Sequence, residues 1–190
     1  MPDSTPRTTV RYGFIGCGMM GQEHLRNLAL IPGASPVAIF EPDDAMAATA
    51  LTLAPGAVRV PTLDALLAHP GLDALVITSP NHCHADQLQR IALARPLPVL
   101  CEKPVCVNLD QVAQLRALAA SHAAPLWVAM EYRYMPPIAA LVSATHGEAD
   151  TGGSTLLSIR EHRYPFLTKV GDWNRFAANT GGTLVEKCCH

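Results

Sequence analysis

Apolar positions over the first 130 residues follow two patterns in turn, short unbroken runs and longer stretches with helical spacing. Val10 to Ile15 is such a run, and Met20, Leu25, Leu28 and Ala29 then recur as one face of a helix that Pro32-Gly33 stops. Val37 to Phe40 reads as a second buried strand ending at Glu41-Pro42, and the alanine-rich stretch from Ala45 to Leu53 as the helix after it. Val58 to Val60 predicts a third strand, Leu63 to Leu67 a short helix, and Ala74 to Thr78 a fourth strand closed by Ser79-Pro80-Asn81. A helix from Ala85 carries Leu88 and Ala92 at helical spacing, and Pro98 to Cys101 is a fifth strand running into Glu102-Lys103-Pro104. Asn108 is placed to cap a helix over Leu109 to Ala119, with Gln111 positioned to close a capping box. Leu126 to Met130 supplies a sixth strand.

Strict alternation of strand and helix predicts an α/β fold with a doubly wound parallel sheet, covered on both faces and joined by right-handed crossovers. The rhythm changes after Tyr132-Arg133-Tyr134. Pro136-Pro137 opens a helix to about Ala144, Gly152-Gly153 makes a turn, and Leu156 to Arg163 predicts the first strand of something new. The expected division is one domain over residues 1–131 and the incomplete beginning of an α+β domain over residues 132–190. So short a remainder cannot bury a core of its own, which leads us to expect a fragment of a longer protein.

Composition narrows the function classes. With 49% hydrophobic residues, 16% charged and a net charge of -2, the chain has material for a core and no basic stripe for nucleic acid. Its apolar stretches are interrupted well before the ~20 residues of a membrane span, and no basic segment with an apolar core opens it, so a cytoplasmic protein is expected. Six cysteines follow no disulfide-framework spacing and are read as reduced thiols. His82-Cys83-His84 and Cys188-Cys189-His190 are dense in ligand types, but neither has CxxC or HxxxH spacing, and no metal site is expected.

The chemistry begins at Gly16-Cys17-Gly18-Met19-Met20-Gly21. In such a turn the first glycine permits the bend, the second lets backbone approach a pyrophosphate, and the third lets helix pack on strand. The turn follows a predicted strand, opens a predicted helix and has an acidic residue twenty positions beyond Gly21, the context of a Rossmann dinucleotide site. Gly16, Gly18, Met19, Met20 and Gly21 are therefore expected to bind the diphosphate. Glu41, at the end of the second strand, can accept from ribose hydroxyls and repel a 2′-phosphate. Like charges about 4 Å apart repel by ~4 kcal/mol at an effective dielectric of 20. Residues 42–46 offer no Arg or Lys to offset this, so NAD is preferred over NADP, although an Arg from another loop could reach in. Ser79, Pro80, Asn81, His84, Glu102 and Lys103 fall at the carboxyl ends of strands four and five, where the nicotinamide half is expected. An ammonium at Lys103 beside a positively charged nicotinamide would be a competent proton-transfer partner.

Four motifs together carry a family resemblance. Gly-Phe-Ile-Gly-Cys-Gly-Met-Met-Gly near the start, Ser-Pro-Asn-His-Cys-His at 79–84, Cys-Glu-Lys-Pro at 101–104 and the terminal Gly-Gly-Thr-Leu-Val-Glu-Lys-Cys-Cys-His resemble the Gfo/Idh/MocA oxidoreductases. The resemblance spans essentially the whole chain. It implies a C-terminal α/β domain with an open sheet that covers the nicotinamide and mediates homo-oligomers, and oxidation or reduction of a hydroxyl or carbonyl on sugars, inositols or related polyols. It also implies that Lys103 is the lysine of the family's Glu-Lys-Pro motif, and that Glu186 and His190 stand in its Asp-x-x-x-His element, with Glu replacing the commoner Asp.

On that reading His190 takes the hydroxyl proton, Lys103 stabilises the developing oxyanion, and Glu186 holds substrate or a neighbouring polar group. Tyr132, Arg133, Arg160, His162, Lys169, Trp173 and Asn174 are the residues available to bind polyol hydroxyls, of which a few are expected to do so. Two rivals stay open, a non-catalytic NAD-binding sensor or assembly module and an NAD-dependent glycosidase on the same scaffold.

Overall fold

The computed structural model describes residues 9–146, Ser158, Arg160 and residues 167–187. Strands β1 (Val10–Ile15), β2 (Ala34–Phe40), β3 (Val58–Arg59), β4 (Ala74–Ile77), β5 (Val99–Cys101) and β6 (Leu126–Val128) form one parallel sheet in the order β3-β2-β1-β4-β5-β6. The order reverses between β1 and β4. Their carboxyl ends therefore flank the crevice where doubly wound sheets bind ligands.

Helices α1 (Met19–Leu28) and α2 (Asp44–Leu53) pack together on one side, and α3 (Leu63–Leu67), α4 (His84–Ala94) and α5 (Leu109–Ser121) follow the remaining strands. The strands' two-residue period sends neighbouring side chains into two cores. Phe14, Ile39 and Val76 join Leu25 and Leu28 of α1 in one. Ile15, Leu75 and Ile77 join Leu63, Leu66, Leu88, Ile91 and Leu115 in the other.

Helix starts follow local chemistry. Asp43 Oδ1 accepts from the Met46 N–H at 2.9 Å and Thr62 Oγ1 from Ala65 at 3.1 Å. Asn108 Oδ1 accepts from Gln111 at 3.0 Å, while the Gln111 amide oxygen accepts from Val107 N–H at 2.8 Å, one residue earlier than a capping box requires.

Several boundaries differ from the sequence expectation. β2 begins at Ala34 rather than Val37, because a register shift after the Tyr12–Pro36 pair carries the strand past a proline that has no N–H to donate. β3 holds only two residues, Thr78 leaves β4 for the following loop, and β6 stops at Val128. Ala29 caps α1 and is exposed rather than on its buried face. After β6 come a 3₁₀ turn at Glu131–Tyr134 and helix α6 (Pro136–His146). The strand expected over Leu156 to Arg163 lies outside the described residues, apart from the exposed Ser158 and Arg160. A 3₁₀ segment at Val170–Arg175 then leads to α7 (Ala177–Thr180) and α8 (Thr183–Lys187). Among the described residues no helix is long and apolar enough to cross a membrane, and no group of three or more His, Cys, Asp or Glu could hold a metal ion.

Candidate active site

The three glycines of the first turn have three separate reasons to be there. Gly16 has φ +82°, and a Cβ on it would lie 2.6 Å from the Ser79 backbone. A Cβ on Gly21 would fall 2.7 Å from both the Gly16 carbonyl oxygen and Thr78 Oγ1, so α1 could not come this close to the strands. Gly18 is different, since a Cβ there would meet only Met46 Sδ at 3.7 Å. The fold does not demand glycine at 18, and the bare backbone left there is what the close approach of a ligand would need. The N-terminus of α1 also has no side-chain cap and no acidic residue in its first turn, leaving its N–H groups to an incoming anion.

Glu41, 6% exposed, stands at the end of β2 and accepts from the Cys17 N–H at 2.6 Å and the Asp43 N–H at 2.9 Å. It thus shapes the turn from the carboxyl end of β2. Burial, and then the Glu41 charge, push the Cys17 thiol up to about 12, so this buried sulfur is a packing group. An arginine does reach this loop from elsewhere in the chain. Arg59 Nε donates to the Glu41 carbonyl at 3.0 Å, its Nη2 to the Pro42 carbonyl at 3.1 Å, and its Nη1 pairs with Asp44 at 2.7 Å. Residues 42–46 alone could not reveal it, because Arg59 comes from the neighbouring strand.

The loops after β4 and β5 are braced against each other by His84. Its Nδ1 lies 2.8 Å from the Pro104 carbonyl and its Nε2 2.9 Å from the Ser79 carbonyl, with no surface exposed. Burial lowers the imidazole below its ordinary range against the opposing pull of these two carbonyls. The sequence expectation for His84 was cofactor contact. A ring with both nitrogens facing backbone carbonyls and no exposed surface instead positions the residues around it. Ser79 Oγ donates to Gln87 Oε1 at 2.6 Å, and Thr78 Oγ1 donates to the Gly16 carbonyl. Asn81 is 7% exposed and its Nδ2 has no hydrogen-bond partner, an orphaned donor at the carboxyl edge of the sheet. Such a donor, with the open face of Gly18 and the uncapped α1 terminus, fits a bound dinucleotide.

Glu102 is buried by His24, whose Nε2 lies 2.8 Å from Glu102 Oε1, while Glu102 Oε2 accepts from the Lys103 N–H at 3.2 Å. Sequence reasoning missed His24, Gln87 and Thr78. All three are polar residues on otherwise ordinary patterns: His24 reaches Glu102 from α1, Thr78 reaches the Gly16 carbonyl from the end of β4, and Gln87 reaches Ser79 from α4. The half-buried Lys103 precedes a cis peptide bond to Pro104, and its Nζ donates to the Glu186 carbonyl at 3.1 Å.

The segment over residues 167–187 lies against these same loops. Trp173 meets His82 edge-on with ring centroids 6.2 Å apart, and a Cβ on Gly181 would touch the Val107 carbonyl oxygen at 3.0 Å. Glu186 Oε1 pairs with Lys187 at 3.1 Å, and Lys169 Nζ lies 4.0 Å from Met19 Sδ. Thus Glu186, Lys169 and Trp173 are brought to the cleft with Lys103. Asn174 is buried with its Nδ2 on the Leu167 carbonyl at 3.2 Å, while its Oδ1 has no hydrogen-bond partner among the described residues. Arg133 instead lines a groove of about 320 Å³ beyond β6 with Leu126, Trp127 and Tyr134, away from the glycine turn. Tyr132 is half-buried in the 3₁₀ turn, and Arg160 is exposed. His162 and His190 lie outside the described residues.

A sheet reversal flanked by a glycine turn that opens α1, an acidic residue at the end of β2 and a lysine just after β5 define the class of NAD-binding oxidoreductase domains. The chain belongs to the Gfo/Idh/MocA family: the family model described as an oxidoreductase family with an NAD-binding Rossmann fold matches residues 10–130. It is 32% identical over 190 residues to the rhizopine catabolism protein MocA of Rhizobium meliloti, covering 96% of this chain and 55% of that one. An inositol 2-dehydrogenase of Pseudarthrobacter chlorophenolicus is 31% identical over 173 residues, covering 90% of this chain and 50% of the relative. The chain therefore spans about half the length of these two relatives. Among solved structures, myo-inositol dehydrogenase from Lactobacillus casei in complex with NAD(H) and myo-inositol superimposes with a TM-score of 0.68 at 25% identity, over 73% of this chain and 42% of that one.

Proposed function

We propose that the protein is an NAD-dependent dehydrogenase that acts on a CH–OH carbon of an inositol, sugar or related polyol. The observation that carries this reading is the contact of Lys103 Nζ, at the carboxyl end of β5, with the main-chain carbonyl of Glu186, which brings the segment bearing Glu186 to that strand end. The relatives named inositol 2-dehydrogenase support the substrate class. When bound, NAD supplies the hydride acceptor or donor. Lys103 hydrogen-bonds the substrate oxygen and stabilises the negative charge that grows on it as its proton leaves. His190, four residues beyond Glu186, receives that proton, and Glu186 orients the substrate or the lysines around it. Tyr132, Trp173 and Arg160 remain the candidates for hydroxyl recognition, and Glu41 favours NAD over NADP.

The test is NADH formation by the full-length protein with myo-inositol and a panel of sugars as substrates. Wild-type protein forms NADH with at least one of them, and Lys103→Met and His190→Ala each lower turnover by about 100-fold or more. Unchanged turnover in both variants would remove the assignment.

A further inference from the structure

We propose that Lys169 binds the diphosphate of the dinucleotide, closing from above a site whose floor is the glycine turn. The inference rests on the NAD site already described and adds a cofactor residue from outside the segment that the family model matches. Lys169 Nζ lies 4.0 Å from Met19 Sδ, and Met19 is the first residue of α1, directly after the turn. The two residues are 150 positions apart. A thioether is a weak acceptor for an ammonium. Among the described residues no carboxylate lies within ion-pair distance of Lys169, which is half-buried.

Its electrostatic surroundings mix two ammonium groups with two carboxylates. Burial, and then Lys187, lower Lys169 below the ordinary lysine range, Lys103 adds to this, and Glu186 and Glu102 only partly oppose it. Glu186 is already paired with Lys187, and Glu102 is hydrogen-bonded by His24. A half-buried ammonium with no carboxylate at ion-pair distance gains from an anion, and the anion a Rossmann turn receives is the diphosphate. The N–H groups at the start of α1 and the open face of Gly18 meet it from one side, and Lys169 meets it from the other.

The test is equilibrium titration of the full-length protein, followed by intrinsic fluorescence, with NADH, ADP-ribose and adenosine. Lys169→Met is expected to weaken NADH and ADP-ribose alike by about 10-fold, to leave adenosine unchanged and to flatten the salt dependence, while Lys169→Arg retains most of the affinity. Unaltered affinity for both diphosphates in a folded Lys169→Met protein overturns the assignment while leaving the NAD site standing. That includes the case where only a substrate KM rises. Wild-type protein that binds neither NADH nor ADP-ribose overturns both readings together.

Discussion

The Cys17 N–H donates to Glu41 Oε2 at 2.6 Å, tying the end of β2 to the turn that follows β1. One carboxylate therefore serves the shape of the turn, and on the proposed function it would also serve the choice of cofactor. Arg59 lies beside it, held by the carbonyls of Glu41 and Pro42. With the Glu41 charge in place a 2′-phosphate meets repulsion, and with the charge removed it meets the arginine. Glu41→Gln should therefore narrow the ratio of NADPH to NADH dissociation constants by at least ~10-fold, measured by fluorescence titration. Loss of affinity for both cofactors at an unchanged ratio would confine Glu41 to a structural role.

The glycines separate folding from binding. Gly16→Ala forces a Cβ to within 2.6 Å of Ser79 backbone at φ +82° and should lower stability by roughly 2 kcal/mol or more. Gly18→Ala meets nothing closer than 3.7 Å and should cost no more than about 1 kcal/mol, the loss of a glycine N-cap, yet weaken NADH binding several-fold. Thermal unfolding with and without NADH distinguishes them. Equal losses of stability in the two variants would contradict the argument.

The sheet was legible because each strand of its interior is a short apolar run bounded by Gly, Pro or Asn, a pattern that needs no partner to be read. Pro36 misled for a physical reason: a proline argues against a strand unless a bulge removes the need for its N–H, and the bulge depends on β1. Glu41 and Lys103 could be found because strand ends in this fold face ligand. The braces could not. His24, Gln87 and Arg59 act through residues 78, 8 and 18 positions away, and no local spacing records those meetings. His84 was legible as part of a motif, but its burial was not.

Thiol chemistry should follow burial. Cys17 is pushed up to about 12 and the Cys101 thiol is also raised, both by burial first and a neighbouring carboxylate second, while Cys83 and Cys106 are only half-buried. Alkylation of the native protein at about pH 8 should modify Cys83 and Cys106 well before Cys17 and Cys101. Peptide mass mapping reads the order. Early modification of Cys17 would mean that the glycine turn opens to solvent in the free protein.

His84 couples stability to pH. Burial holds its folded imidazole below the ordinary value, about 6.5 in an unfolded chain, so on acidification the unfolded state takes the proton first. The sign follows: stability from this group is complete above about pH 6.5 and falls with pH below it, until the folded imidazole titrates too. His84→Gln cannot titrate and should show a shallower decline of Tm between about pH 6.5 and 5. It should also be less stable at neutral pH, by about 1–3 kcal/mol, because an amide of different shape refills the fully buried site of the ring and cannot keep the N–H that the neutral imidazole gives to one of the Ser79 and Pro104 carbonyls in place. Those carbonyls fix the loops that carry Asn81 and Lys103, so NADH affinity should fall in the same variant. A variant with wild-type pH dependence and wild-type NADH affinity would show that the two loops hold their places without this brace.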